Sequence, residues 1–122
     1  MKLLVQMGAN VDETETQSRN TALFYTVAYN NIEATLLLIG HGADINHRNL
    51  LGWTPLFEAA FRDRSQIIST LINQGAQINE KDAEGKTALF WAAWQQNVLS
   101  ARILSRLGGS CFGHIQSPEL CQ

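Results

Sequence analysis

Thr21-Ala-Leu-Phe24, Thr54-Pro-Leu-Phe57 and Thr87-Ala-Leu-Phe90 are three copies of one phrase, and they decide the fold of this chain. Successive copies begin 33 residues apart. A fixed period of this length indicates a stack of small units, each contacting mainly its neighbours. Such a stack has a groove and an outer surface but no enclosed cavity. The period therefore favours recognition over catalysis.

A second phrase closes each unit 21 residues after its threonine, as Gly42-Ala-Asp-Ile-Asn46, Gly75-Ala-Gln-Ile-Asn79 and Gly108. The period and the two phrases together resemble the ankyrin repeat, which pairs a turn with two antiparallel helices. The resemblance implies an all-α solenoid of stacked helix-turn-helix units with protruding β-turn or hairpin fingers. It identifies the scaffold and not the partner, because one scaffold can carry many functions.

The repeat pattern also divides the chain. We expect an array over residues 1–110, made of a half repeat at 1–15 and repeats at 16–48, 49–81 and 82–110. Residues 111–122 fit no repeat, and we expect a disordered tail there. The last unit keeps Ile103, Leu104 and Leu107, where a terminal unit needs a polar outer face. We therefore expect either a monomer or part of a larger array.

Apolar residues recur at helical spacing within each unit. In the middle unit this spacing predicts a first helix over about 55–62 and a second over about 65–73. Thr54 is a suitable N-cap and Pro55 a suitable first helical residue. Gly75 follows the second helix, where a left-handed residue is favoured. The same reading applies to the other units.

Two departures from the family pattern have structural consequences. Phenylalanine replaces the family histidine in all three units, so we expect apolar contacts instead of hydrogen bonds at that position. The glycine between the two helices is replaced by Asn30, Asp63 and Gln96. If the backbone keeps the family geometry, these residues are left-handed, which costs about 1 kcal/mol at a poor site.

Composition and charge exclude several classes of function. The formal net charge is −2, and the basic residues are scattered singly, so no nucleic-acid partner is predicted. The longest apolar stretch is far too short for a membrane span, which argues against a membrane partner. Without a secretory signal, Cys111 and Cys121 are interpreted as reduced thiols of a cytoplasmic, or possibly nuclear, protein.

Partners of this family are usually bound by the turn fingers and the exposed side of the first helix. The resemblance implies that these positions form the binding surface here, and they are unusually apolar. Exposed apolar strips commonly mark interaction surfaces, and Trp, Tyr and Arg often dominate binding energies. The predicted protein-binding residues are Tyr25, Tyr29, Leu50, Leu51, Trp53, Glu58, Phe61, Arg62, Trp91 and Trp94.

An alternative interpretation is that some of these side chains pack sideways on the neighbouring unit. The sequence leaves Trp91 and Tyr25 evenly balanced between the two. It favours exposure for Leu50, Leu51 and Trp94, because of the turn location and the burial habits of tryptophan.

The chain contains no catalytic or phosphate-binding motif, so we predict no enzyme activity and no cofactor. Cys111, His114 and Cys121 lack a fourth ligand and match no closed zinc site, so no metal is predicted. The resemblance also implies possible hydroxylation of Asn46 and Asn79 by an oxygen-dependent enzyme. The competing interpretation is that these side chains bridge backbone groups of the turn.

The leading hypothesis is a non-catalytic adaptor or scaffold that binds a partner protein through its concave groove and turn fingers. The second is a structural segment of a longer array, whose apolar strip is covered by further repeats or by another domain. The third is a regulatory or inhibitory subunit that covers the catalytic domain of an enzyme.

Overall fold

The computed structural model describes residue 14 and residues 19–108. These residues form three pairs of antiparallel helices and contain no β-strand. The predicted all-α repeat solenoid is therefore confirmed, while the predicted half repeat and tail lie outside the described residues, apart from residue 14. The helices are α1 (Ala22–Ala28), α2 (Ile32–Gly40), α3 (Pro55–Phe61), α4 (Ser65–Asn73), α5 (Ala88–Trp94) and α6 (Val98–Arg106).

The first helix of each unit begins directly after its threonine, as the sequence predicts. Only Thr87 caps through its side chain, with Oγ1 accepting from the amide of Phe90 at 3.2 Å. Thr54 precedes Pro55, which occupies the first helical position and has no amide to satisfy. The Thr21 hydroxyl is buried and has no hydrogen-bond partner among the described residues. The predicted side-chain cap is therefore present in the third unit and not in the first two.

The turn between the two helices of each unit is left-handed in all three units. The φ angles are 58° at Asn30, 59° at Asp63 and 60° at Gln96. The family geometry thus persists without its glycine, as expected. The backbone of this turn bonds back onto the first helix: the amide of Asn31, for example, donates to the carbonyl of Thr26 at 2.8 Å. Such bonds satisfy carbonyls that the helix end leaves without a partner.

Two rows of helices build the core. The first helices α1, α3 and α5 pack along one row and the second helices α2, α4 and α6 along the other. Alanines at the centre of α3 and α5 are almost completely buried, namely Ala59, Ala60, Ala92 and Ala93. Their small side chains allow neighbouring helices to approach closely, so each unit packs directly on its neighbour.

The phenylalanines that replace the family histidine are all buried, and each contacts another ring. Phe24 meets His47 edge-on at 6.3 Å between ring centroids, and Phe57 stacks on Trp53 at 6.1 Å. Phe90 stacks on Trp94 at 5.9 Å. Apolar packing therefore takes the place of the hydrogen-bonded histidine, as expected.

Side chains at the start of α4 and α6 tie neighbouring units together with the same period as the sequence. Arg64 donates from Nε and Nη2 to the carbonyl of Ala28, at 3.2 and 2.8 Å. Asn97, one period later, donates from Nδ2 to the carbonyls of Ala60 and Phe61, at 2.9 and 3.1 Å. These donors satisfy carbonyls at the end of the preceding unit's first helix, where partners within the helix run out.

The first unit differs from the others by a buried pair of hydroxyl groups. Thr26 donates to the carbonyl of Leu23 at 2.9 Å, and its Oγ1 lies 2.9 Å from Oγ1 of Thr35. The equivalent positions of the later units are all apolar: Ala59, Ile68, Ala92 and Ala101. The three units therefore have the same backbone fold, but the buried side chains of the first unit differ from those of the other two.

The last helix, α6, is only partly apolar on its outer side. Leu104 is fully buried in the core, so its predicted place on an apolar outer face is wrong, and Ile103 is half-buried. Leu104 is buried because it lies on the side of α6 that packs in the apolar core with residues of α4 and α5. Leu99 and Leu107 are exposed and remain the apolar part of that face.

Candidate protein-binding surface

The turns between units are fixed by one polar side chain each. The Asn49 amide donates to the carbonyl of Trp53 at 2.9 Å, while its side-chain Oδ1 accepts from the amides of Leu51 and Trp53. These bonds leave Leu50 and Leu51 at the tip of the turn, 65% and 58% exposed. The exposure predicted for these two leucines is confirmed.

Trp53 lies on the same turn but does not form part of the exposed surface. Its side chain is only 9% exposed, and its indole Nε1 donates to Oδ2 of Asp82 at 3.0 Å. The expectation that Trp53 projects from the finger as a binding anchor is therefore wrong. The physical reason is a carboxylate from the next unit, which supplies the buried indole with an acceptor.

Asp82 is the central residue of this junction, and it was not predicted from the sequence. Its Oδ2 also accepts from Nε1 of Trp91 at 2.8 Å, and its Oδ1 accepts from the amides of Glu84 and Lys86, both at 2.9 Å. A buried carboxylate with four donors is well satisfied. Its position in the repeat could have indicated its role, since Asp82 stands one period after the turn-forming Asn49.

Phe61 and Trp91 complete an aromatic cluster around Trp53. The ring of Trp53 lies 5.2 Å from that of Phe61 and 5.6 Å from that of Trp91, measured between centroids. Phe61 and Trp91 are half-buried and in contact at 6.1 Å. For Trp91 the sideways-packing alternative is the correct one. These rings stabilise the seam between the second and third units.

A pocket of about 340 Å³ opens between the first and second units. Four predicted binding residues line it, namely Tyr25, Tyr29, Glu58 and Arg62, together with Asn20, Phe24, Ala28 and Arg64. Tyr29 is 77% exposed and Tyr25 is half-buried. Ala28 stands where the next two units carry Phe61 and Trp94, so a missing ring leaves this space open.

Two cations and one carboxylate line this pocket. Arg62 donates through Nε to the Glu58 carboxylate, one turn earlier on α3, and forms an ion pair with it. The Glu58 side chain is mostly buried, whereas half of the Arg62 side chain is exposed. Arg64 is held against the first unit by its bonds to Ala28. The pocket therefore combines aromatic walls with an excess of one positive charge.

Trp94 marks the other end of the same face. It is 49% exposed and stacks on the buried ring of Phe90. The Nζ of Lys86 lies 4.8 Å from the centroid of Phe90, a cation–π distance. The exposure predicted for Trp94 is confirmed, so aromatic surface is available at both ends of the array.

The two asparagines proposed for hydroxylation are both engaged in bridges between turns. Asn46 accepts through Oδ1 from the amide of Gln77 at 3.0 Å, and Asn79 donates from Nδ2 to the carbonyl of Gly108 at 3.1 Å. Each bond links a turn to the following unit. The structural interpretation of these residues thus has direct support, and their hydroxylation stays a prediction.

Other kinds of site are not evident in the described part of the chain. No group of three His, Cys, Asp or Glu residues among residues 19–108 could hold a metal ion. Cys111, His114 and Cys121 lie outside the described residues. No helix in that same stretch combines the length and the apolar character needed to cross a bilayer.

Comparison with known families places repeats over most of this chain. A family model described as ankyrin repeats, containing three copies, matches residues 36–111. A model of the single ankyrin repeat matches residues 18–50. The two matches together cover all six helices, so the surface described above belongs entirely to repeat units.

Among curated proteins, the chain is similar to the inactive serine/threonine-protein kinase TEX14 of Mus musculus. The two are 33% identical over 69 residues, which is 57% of this chain and 5% of the mouse protein. The chain thus spans a small part of that relative's length.

Proposed function

Because the chain belongs to the ankyrin repeat family, we propose that it is a protein-interaction module without catalytic activity. In this proposal it acts as an adaptor or scaffold. It binds a segment of a partner protein along the face formed by α1, α3 and α5 and by the turns that precede them. The observation that supports this most directly is the pocket between the first two units, since four of the predicted binding residues line it.

The exposed aromatic residues of this face support the same function. Tyr29 lines the pocket, and Trp94 lies at the far end of the same face. Folding does not require either of these large aromatic side chains to be exposed, yet both are. Tyrosine and tryptophan contribute strongly to interfaces, because they bury a large area with few rotatable bonds. Leu50 and Leu51 extend the apolar surface onto the turn. A partner segment would therefore contact both the concave face and the turn.

The test is a selection of random linear peptides, displayed on phage, against the whole chain. Selected peptides are then measured by fluorescence anisotropy against the wild type and the variants Tyr29→Ala and Trp94→Ala. We expect each variant to weaken binding about tenfold or more, as for central aromatic residues of interfaces. Leu36→Ala is the control, because Leu36 is exposed on α2, in the other row of helices.

The proposal fails if no peptide is enriched, or if the selected peptides bind both aromatic variants as tightly as the wild type. Loss of binding must occur without unfolding, so each variant is first compared with the wild type by circular dichroism. Equal weakening by Leu36→Ala would also contradict the proposed face.

A structural role within a longer array is the second candidate, and one observation favours it. Val98 and Leu99 on α6 and Leu107 directly after it are exposed. Another repeat packed on α6 would cover them. Self-association of the chain that is abolished by polar residues at Leu99 and Leu107 would support this role. A monomer at high concentration would contradict it.

A further inference from the structure

Resting on the proposed function, we propose that the pocket between the first two units binds the carboxylate of an aspartate or glutamate side chain within the partner segment. The ligand would enter between Tyr25 and Tyr29 and be held by Arg62. This assigns a chemical class of ligand to the pocket. It also makes the first junction of the array, rather than its aromatic end, the position that selects partners.

The guanidinium of Arg62 is the group suited to this role. Its Nε is used by Glu58, which is its only hydrogen-bond partner within residues 19–108. The two Nη groups therefore keep donors for a ligand, on a side chain that is half exposed. The ion pair with Glu58 limits the rotamers of Arg62, so less freedom is lost when a ligand binds.

The charges around the pocket match one negative charge. The guanidinium groups of Arg62 and Arg64 oppose the single carboxylate of Glu58, which leaves an excess of one positive charge. A carboxylate would balance this excess. A dianionic phosphate would exceed it and would also face Glu58, so the pocket favours a carboxylate.

The walls indicate that the anion arrives on a peptide side chain. Tyr25 and Tyr29 line the pocket with aromatic side chains, which suit the methylene groups of aspartate or glutamate. Ala28 gives the pocket its depth, and the face continues beyond it towards Phe61 and Trp94. A chain lying along this face would continue past the pocket, so an internal side chain fits better than a chain terminus.

The experiment uses the displayed peptide library against the whole chain, followed by anisotropy with the enriched peptide. We expect an acidic residue to be enriched at one position next to apolar residues. Replacing it by the matching amide should weaken binding to the wild type about tenfold, the value of one charge-assisted hydrogen bond. The same peptide amidated at its C-terminus should bind unchanged, which separates a side-chain carboxylate from a terminal one.

Three protein variants assign this effect to the pocket. Arg62→Gln should weaken the acidic peptide about tenfold and leave the amide peptide unaffected. Glutamine suits the position, since Gln95 occupies it one unit later. Glu58→Gln should strengthen binding, because the amide oxygen can still accept from Arg62 Nε while the competing charge is removed, an effect that a purely structural role would not produce. Arg102→Gln is the control, since Arg102 is an exposed arginine on α6.

The outcomes separate this inference from the proposed function. If the enriched peptides carry no acidic residue, or if Arg62→Gln and Glu58→Gln bind like the wild type, the carboxylate assignment is overturned. In that case binding that is still lost in Tyr29→Ala or Trp94→Ala leaves the proposed function standing. If no peptide binds this face at all, both are rejected.

Discussion

Gly52 is the residue at which the turns of two neighbouring units come closest. Its φ is 78°, and a Cβ placed on it would lie 2.6 Å from the amide nitrogen of Ala83. That amide donates to the carbonyl of Leu51 at 3.2 Å, so the second and third turns are bonded directly to each other. Gly85 occupies the same place in the next turn with a φ of 79°, and the described residues leave open space around it.

These two glycines give a matched test of contact between the turns. Gly85→Ala should lower the free energy of unfolding by about 1 kcal/mol, because alanine is strained in the left-handed region. Gly52→Ala carries the same strain and also collides with Ala83, so it should cost a further 1–3 kcal/mol or so. Urea denaturation of both variants measures the difference. Equal losses would show that the turns do not need their close approach.

Asp82 allows a second test at the scale of one residue. In Asp82→Asn, one of the two oxygens becomes a donor. Either the indoles of Trp53 and Trp91 or the two backbone amides then lose their acceptor. Leaving buried donors unsatisfied costs about 1–3 kcal/mol, and we expect that loss in urea denaturation followed by tryptophan fluorescence. Glu84→Gln also removes one negative charge from the same turn, but Glu84 is exposed, so this substitution should have almost no effect.

At the scale of an element, the left-handed turn between paired helices occurs three times with three different side chains. Asparagine tolerates this conformation better than glutamine does. Asp63 is also tied to the next unit, because its Oδ1 accepts from the hydroxyl of the buried Ser100 at 2.6 Å. The same backbone therefore has three different local energies.

Glycine substitutions at this turn should rank accordingly. Gln96→Gly should stabilise the array by about 0.5–1 kcal/mol, since relief of strain exceeds the entropy lost by glycine on folding. Asn30→Gly should change little. Asp63→Gly should destabilise, because it leaves the Ser100 hydroxyl without its acceptor. Thermal melts of the three variants test this order, and a destabilised Gln96→Gly would contradict the strain argument.

The elements themselves were predictable from the sequence, whereas the contacts between units were not. The spacing of apolar residues predicted the ends of α3 and α4 to within a residue, because this spacing is a property of the local sequence. Trp53 was assigned to the surface because the resemblance places its position on the turn finger. Its burial depends on Asp82, which lies 29 residues away. Four of the residues that line the pocket were predicted from the sequence, but the pocket itself was not, because it arises from the absence of a ring at Ala28.

At the scale of the whole molecule, stability depends on the seams between units as much as on the units. The seam between the second and third units holds the cluster of Trp53, Phe61, Trp91 and the Asp82 carboxylate. Between the first and second units, Arg64 spans from one helix pair to the other. The first seam contains a pocket and the second is filled with rings, so we infer that the second is the more stable.

Two tryptophan substitutions test how much the seam between the second and third units contributes to stability. Trp53→Ala should cost about 3–5 kcal/mol, the usual loss for a buried aromatic residue, and should uncouple the third unit from the second. Trp94→Ala removes a half-exposed ring and should cost about 1 kcal/mol or less. Hydrogen exchange should show protection lost in α5 and α6 of Trp53→Ala before α1 to α4. Uniform loss along the array would contradict separate seams.

The threonine pair inside the first unit limits how far the three units can be exchanged. Thr26 and Thr35 bond to each other and also to the backbone carbonyls of Leu23 and Asn31, whereas the later units hold apolar side chains at those places. A chimera that combines α1 with the second helix of another unit would keep the bond from Thr26 to Leu23, but it would place an alkyl side chain against the Thr26 hydroxyl in place of a second hydroxyl. We therefore expect the helix pair of the first unit to be exchanged better as a whole than helix by helix, although the backbone of the three units is the same.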